Sequence, residues 1–382
     1  MRFLPRFVCA GAMLSASLLH AAEVPAEAES AFRDWFAARR GCAALTVVTR
    51  DGVAFATAGQ FGPRDPRPVT PDTTFEIGSV SKLFVALLLV ESEKAGKVSR
   101  NDPAAKYLLP ADDPDQPKLA PLTLQALSTH SAGLPTMASS FRAKDGNRVA
   151  FTRAELIEGL RRDGAVAKVG VRSVYSNFGV CVLGQALAAA WGRPYPVLLQ
   201  ERALDPLGLE HTWLGTPEAK PPEDFPPALV NGRVVPHWQF RGDALAPSGA
   251  LRSTPRDLGQ FLQACLGFRD TPVNASIAEC TRPIRPMGDG PGKVGLNWMS
   301  TAGTPRVYWH NGATAGFRAF VGFEPTRGIG VAVVTNTNTG AAPEAVGMPL
   351  LRGTRPAASG KPAAAPAKDE RTPGSERIRP NL

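Results

Sequence analysis

The stretch Thr74-Phe75-Glu76-Ile77-Gly78-Ser79-Val80-Ser81-Lys82 decides how this chain is read. An extended apolar piece passes into Leu83-Phe84-Val85-Ala86-Leu87-Leu88-Leu89-Val90, which reads as a helix. Ser79 then sits at a helix N-terminus, where unpaired backbone N–H groups and the helix dipole favour negative charge. Lys82 lies three residues on, on the same helix face and within reach of the Ser79 hydroxyl. A serine beside an amine in such a place is equipped to be an acyl-transfer nucleophile. The bare S-x-x-K pattern is weak, because a capping serine and a solvated lysine one turn later also produce it.

Two further segments follow in order. Arg172-Ser173-Val174-Tyr175-Ser176-Asn177-Phe178-Gly179 precedes an apolar run beginning at Val180. Taken alone it reads as a buried tyrosine and a turn asparagine. Trp309-His310-Asn311-Gly312-Ala313-Thr314-Ala315-Gly316-Phe317 leads into the strand-like Arg318-Ala319-Phe320-Val321-Gly322-Phe323. Gly312 leaves that strand without a side chain at one point, so a substrate backbone could approach closely.

In this order, F-E-x-G-S-x-S-K, Y-x-N and the His310-Asn311-Gly312 triad resemble the signatures of class C β-lactamases and their D,D-peptidase and esterase relatives. The resemblance runs over roughly residues 30–340. It implies that Ser79 is the nucleophile and that Lys82 and Tyr175 manage its proton. A phenol is a poor base alone, and a neighbouring ammonium favours its ionised form. The resemblance assigns Asn177 to the substrate's side-chain amide and to holding the lysine. It makes the backbone N–H groups of Ser79 and Ala313 the oxyanion hole, a strong catalytic device. His310, Asn311 and Gly312 would bind substrate in the place where class C enzymes carry K-T-G. Histidine there is typical of D,D-peptidases. Because free histidine is mostly neutral above pH 7, recognition of a substrate carboxylate is expected to be weaker or more pH-dependent than with lysine.

Smaller matches agree. Ser128-Thr129-His130-Ser131-Ala132-Gly133-Leu134-Pro135 looks like the family's turn after a helix, with His130 packing nearby. Leu204-Asp205-Pro206-Leu207-Gly208-Leu209 resembles the end of the helical lobe. Ala246-Pro247-Ser248-Gly249 leads towards Thr254 and Pro255, an N-cap with proline at the first helical position. No G-x-S-x-G elbow competes with Ser79. Ser131 and Ser248 lack a basic partner at useful spacing.

The chain of 382 residues is long enough for two lobes, with 43% hydrophobic and 20% charged residues as in ordinary soluble proteins. Its formal charge of +9 is scattered, with no Lys/Arg stripe of the kind that grips nucleic acid. No Cys/His cluster has zinc-ligand spacing, so no metal and no cofactor are expected. Arg2 and Arg6, an apolar run over residues 7–19 and small residues at Ala21 and Ala22 read as a signal peptide over residues 1–22. The mature protein is then exported to a periplasm-like or extracellular compartment, without a membrane span, and is expected to be a monomer. Cys42, Cys181, Cys265 and Cys280 allow three disulfide pairings or none.

Helical spacing over residues 27–40 puts Phe32, Trp35 and Phe36 on one side. Strands over residues 43–49 and 53–58 flank the hairpin signal Asp51-Gly52. Later strands are expected over residues 295–300, 307–310, 318–324 and 328–336. Strands from both ends around a helical middle give an α+β class of β-lactamase/D,D-peptidase type: an antiparallel sheet flanked by helices, with a mostly helical lobe inserted. The expected division is a sheet lobe over residues 23–85 and 250–352 and a helical lobe over residues 86–249. The site would lie in the cleft between them. Gly347 and Pro349 are expected to shorten or kink the closing helix and leave the sheet less covered. Residues 353–382 read as a Pro/Ala-rich disordered tail. The function that follows is a secreted serine hydrolase of β-lactamase type, acting on a β-lactam or on a peptidoglycan stem peptide as a D,D-peptidase. An esterase or a non-catalytic penicillin-binding module are the other readings.

Overall fold

The Asp51-Gly52 turn folds the first two strands onto each other: β1 (Cys42–Thr49) and β2 (Gly52–Gly62) run antiparallel with Thr49 opposite Gly52. β3 (Asp65–Pro68) adds to the outer side of β2. The computed structural model describes residues 22–139, 141, 148–164, 168–216, 221–241 and 243–354. Six more strands come late in the chain: β4 (Arg285–Pro286), β5 (Lys293–Val294), β6 (Met299–Ser300), β7 (Tyr308–Ala313), β8 (Arg318–Glu324) and β9 (Ile329–Thr335). Among the described residues these nine form one antiparallel sheet in the order β4-β5-β6-β7-β8-β9-β1-β2-β3. β1 pairs with β9, Ala43 opposite Thr335, so the two ends of the chain meet inside the sheet. This is the expected α+β fold with a helical insertion.

Helices cover both faces. On one face α1 (Ala26–Phe36) sets Phe32, Trp35 and Phe36 against Leu45 and Val333. Between the sheet and the helical lobe runs α2 (Ser81–Lys94), which continues unbroken past residue 85. Its residues Leu83 to Val90 are all buried, because the helix is apolar all round. In the helical lobe α3 (Asn177–Trp191) starts at a Ser176 cap that accepts the Gly179 N–H at 2.8 Å, and it stops at the left-handed Gly192. α4 (Pro255–Cys265) is capped as expected, with Thr254 accepting the Asp257 N–H at 3.1 Å. Its Phe261 stacks on Phe84 at 5.0 Å. Covering both faces explains why Cys42 to Val48 of β1 are buried without alternation. Among the described residues no helix is long and apolar enough to cross a membrane.

Two expectations need correction. The closing helix forms: α5 (Glu344–Arg352) lies on the sheet with Val346 and Leu351 fully buried. Gly347 is the reason it can dock, since a Cβ there would stand 2.3 Å from the Phe320 ring. The strand expected over residues 295–300 begins only at Met299. Gly295 instead donates to the Trp298 carbonyl at 2.8 Å, and Asn297 takes φ 55°. All four described cysteines are free thiols, and burial pushes the Cys181 thiol up to about 11. The expected signal segment and tail lie outside the described residues, apart from Ala22, Gly353 and Thr354.

Candidate active site

Ser79 lies on a 3-10 turn, Gly78–Val80, that runs straight into α2. The turn is stitched in place by Ser81, whose hydroxyl donates to the Gly78 carbonyl at 2.7 Å and accepts the Leu251 N–H at 3.1 Å. Just before it, Phe75–Glu76 pairs with Leu251–Ser253. The buried Glu76 carboxylate faces the Arg252 guanidinium at 3.5 Å.

Lys82 is fully buried, which disposes of a solvated lysine. Its ammonium donates to the Ser79 hydroxyl at 3.0 Å and to the Ser248 backbone carbonyl. It also lies 5.0 Å from the centre of the Tyr175 ring. Ser79, Lys82 and Tyr175 therefore meet, although they come from a turn, a helix and a loop of the other lobe. The carbonyl that helps hold the ammonium belongs to Ser248, which has no basic partner at useful spacing in the sequence. Asn177, expected to share that task, opens α3 half-buried and makes no hydrogen bond to Lys82.

His130 and His310 flank Tyr175, with ring centres at 4.7 and 6.1 Å. The His130 carbonyl accepts the Val174 N–H at 2.8 Å, and its Nδ1 accepts the Ser176 N–H at 3.3 Å. His130 thus fixes both sides of Tyr175, with its own backbone at φ 55°. Burial, and then the Lys82 charge, push both imidazoles down to about 3. His310 Nδ1 is bonded to the Asn311 carbonyl, and its Nε2 has no partner among the described residues. The ring is neutral through the physiological range and offers a carboxylate no titrating cation.

β7 presses its backbone against the nucleophile turn. A Cβ on Gly312 would stand 1.9 Å from the Ile77 carbonyl oxygen and 3.0 Å from the Ser79 nitrogen. The group that needs Gly312 bare is therefore the protein's own backbone, where a substrate backbone was expected. Gly78, at φ +49°, has the mirror constraint: a Cβ there would stand 2.7 Å from the Ala313 nitrogen. The two amides, Ser79 and Ala313, are drawn to neighbouring points of one wall. Two N–H groups so placed can serve a developing oxyanion.

That wall bounds a cleft of about 330 Å³ lined by Ser79, Tyr175, Asn311, Gly312 and Ala313. Asn177 and His310 do not line it. Arg318 and Glu344 do, and neither was singled out in the sequence. The Glu344 carboxylate accepts a hydrogen bond from the Asn311 amide. No local motif marks either residue: Arg318 is one arginine at a strand start, and Glu344 opens a helix. The arrangement offers a hydroxyl, an ammonium and a phenol at one point, beside two backbone donors, which is equipment for acyl transfer.

The beta-lactamase family model matches residues 27–352. The chain is 28% identical over 349 residues to the D-alanyl-D-alanine-carboxypeptidase/endopeptidase AmpH of Escherichia coli K12, covering 86% of this chain and 89% of that protein. It is 26% identical over 332 residues to a beta-lactamase of Pseudomonas fluorescens, covering 77% and 88%. The D-alanine carboxypeptidase AmpC of Burkholderia cenocepacia superposes with a TM-score of 0.68 at 24% identity, over 82% of this chain and 94% of that one. A class C beta-lactamase of Rhodobacter sphaeroides gives 0.69 at 22% identity, over 82% and 95%. These last two likenesses speak for the fold. With the model matched across nearly the whole described chain, this protein belongs to the beta-lactamase family.

Proposed function

We propose that this chain is an exported, monomeric serine hydrolase that is acylated on Ser79 by β-lactams and hydrolyses them. The observation that carries this reading is the 3.0 Å bond from the Lys82 ammonium to the Ser79 hydroxyl, beside the Tyr175 ring. Ser79 Oγ attacks the ring carbonyl as its proton passes to the Lys82–Tyr175 pair. The Ser79 and Ala313 N–H groups receive the oxyanion. The C–N bond breaks, and Tyr175 returns a proton to the leaving nitrogen. Water then adds to the acyl ester and frees Ser79. Asn311, on the wall of the cleft, orients the substrate.

A second reading is a D,D-peptidase acting on the stem peptide of peptidoglycan. It is favoured by the His310-Asn311-Gly312 triad and by the likeness to a D-alanyl-D-alanine-carboxypeptidase/endopeptidase. An esterase on this scaffold would not need the missing lysine of K-T-G. A silent penicillin-binding module is disfavoured by the intact Ser79, Lys82, Tyr175 and Asn177.

The deciding test mixes purified mature protein with a chromogenic cephalosporin and then takes an intact mass. Sustained colour with little adduct is the expected result. One stoichiometric burst with a stable adduct moves the assignment to a D,D-peptidase. Neither colour nor adduct overturns both, and a short-chain aryl ester then separates esterase from silent module.

A further inference from the structure

The two substrate classes above share one feature of covalent structure. Each carries a carboxylate on the carbon attached to the scissile nitrogen, so an anion enters the site beside the reacting bond. A buried, unpaired anion is costly, and a site that accepts one needs a fixed cation. The His310 ring is buried and neutral. The Lys82 ammonium is buried and already engaged by Ser79 and Ser248.

Arg318 is the one cationic side chain among the described residues that line the cleft. It opens β8 and pairs directly across from Ala313, whose backbone lies against Gly78 of the nucleophile turn. Directly opposed residues of antiparallel strands bring their Cβ atoms within about 5 Å of each other. The guanidinium therefore projects from the strand position nearest to the oxyanion-hole amide. Among the described residues it has no hydrogen-bond or ion-pair partner, and its Nε is buried with none. A buried donor left without an acceptor in a native protein calls for an explanation. The other charge on the cleft, Glu344, accepts the Asn311 amide and repels an anion from the α5 side.

We propose that Arg318 is the anion subsite: its guanidinium receives the carboxylate of the leaving group and makes the enzyme select amides and β-lactams that carry a free carboxylate at that position. This deepens the Ser79 reading and rests on it. Arginine suits the task because its planar fork matches a carboxylate in two parallel bonds and its charge does not titrate. An internal peptide bond, with an amide in place of that carboxylate, leaves Arg318 unpaired, so cleavage at a chain end is preferred to cleavage within a chain.

The test uses a matched pair of serine-directed boronic acids, phenylboronic acid and 3-carboxyphenylboronic acid, titrated calorimetrically into the whole mature protein. Wild type should bind the carboxylated member about tenfold or more tightly, the size expected for a charge-assisted bond. Arg318→Gln should erase that preference and leave phenylboronic acid binding unchanged. Arg318→Lys should restore part of it. Equal weakening of both probes in Arg318→Gln, or a preference that survives the substitution, overturns the proposal. Absence of preference in wild type does so too. Failure of both probes to bind wild type, or equal binding to Ser79→Ala, instead overturns the Ser79 reading, and the subsite with it. A melting curve for each variant separates loss of the subsite from loss of the fold.

Discussion

The Lys82 ammonium is held by the backbone carbonyl of Ser248, which lies 166 residues further along the chain. With that carbonyl on one side and the Ser79 hydroxyl on the other, the buried cation has little freedom to leave the nucleophile. Two lobes must close correctly for this to happen. The serine–lysine pair is thus a product of the tertiary fold as much as of their spacing.

Replacing Ser79 by Ala is expected to abolish covalent labelling by a penicillin while the melting temperature stays near that of wild type. Lys82→Met, which keeps the stem and removes the charge, should lower the acylation rate by about 10² to 10⁴, the usual range for a lost proton-transfer group. Intact mass against time reads both. Persistent labelling of Ser79→Ala would remove it as the nucleophile.

Tyr175→Phe keeps the ring between His130 and His310 and deletes only the hydroxyl. Turnover should fall by about 10² to 10⁴ with the fold retained. Near-normal steady-state turnover would end the proton-transfer role of Tyr175.

Gly312→Ala puts a methyl group 1.9 Å from the Ile77 carbonyl oxygen. Either β7 or the nucleophile turn must move, and overpacking of this kind costs about 1 to 3 kcal/mol. Acylation should suffer beyond that, because the Ser79 and Ala313 amides are displaced from each other. A denaturant melt and a labelling rate, compared with wild type, check the two effects. A variant with unchanged stability and rate would refute the close contact.

His130 and His310 both have folded-state values near 3, set by burial and the Lys82 charge, against an ordinary value of 6.5. Below 6.5 the unfolded chain binds protons that the folded chain refuses, so stability must fall as the pH falls towards 3. The slope is about 1.4 kcal/mol per pH unit for each fully shifted histidine. Carboxylates held low by arginines begin to contribute only below their ordinary values, about 4.5 for Glu93 and Glu279 beside Arg100 and about 3.8 for Asp72 beside Arg256. The melting temperature should therefore start to decline near pH 6.5, and His130→Asn should flatten the decline. A melting temperature level between about pH 7 and pH 5 would contradict the burial of both rings.

A neutral His310 also fixes the pH response of substrate binding. Affinity for an anionic β-lactam should stay level from about pH 6 to about pH 8, since the buried imidazole stays neutral over that range. Competition titrations at several pH values, in buffers of constant ionic strength, read this directly. A fall in affinity tracking a group near 6.5 would restore the histidine as the binding cation.

Much of this protein is determined by local sequence. The Asp51-Gly52 hairpin, the Thr254 cap and the all-apolar run from Leu83 to Val90 each specify their own element, because turn chemistry, capping and periodicity act over a few residues. The order of Ser79, Lys82, Tyr175 and the His310-Asn311-Gly312 triad was legible for the same reason. Contacts across the chain were not. Gly347 and Pro349 read as faults in a helix. In the fold, Gly347 is the gap that receives the Phe320 ring, and packing of Val346 and Leu351 outweighs the poor propensity. His310 read as a weaker or a more pH-dependent ligand than lysine, and only its burial shows that the ring stays neutral. Ser248 and Arg318 carry no motif, and only sheet pairing and lobe closure bring one to Lys82 and the other across from Ala313. Sequence names the groups able to do chemistry; burial and long-range pairing decide which of them are charged, which are reachable and which face the cleft.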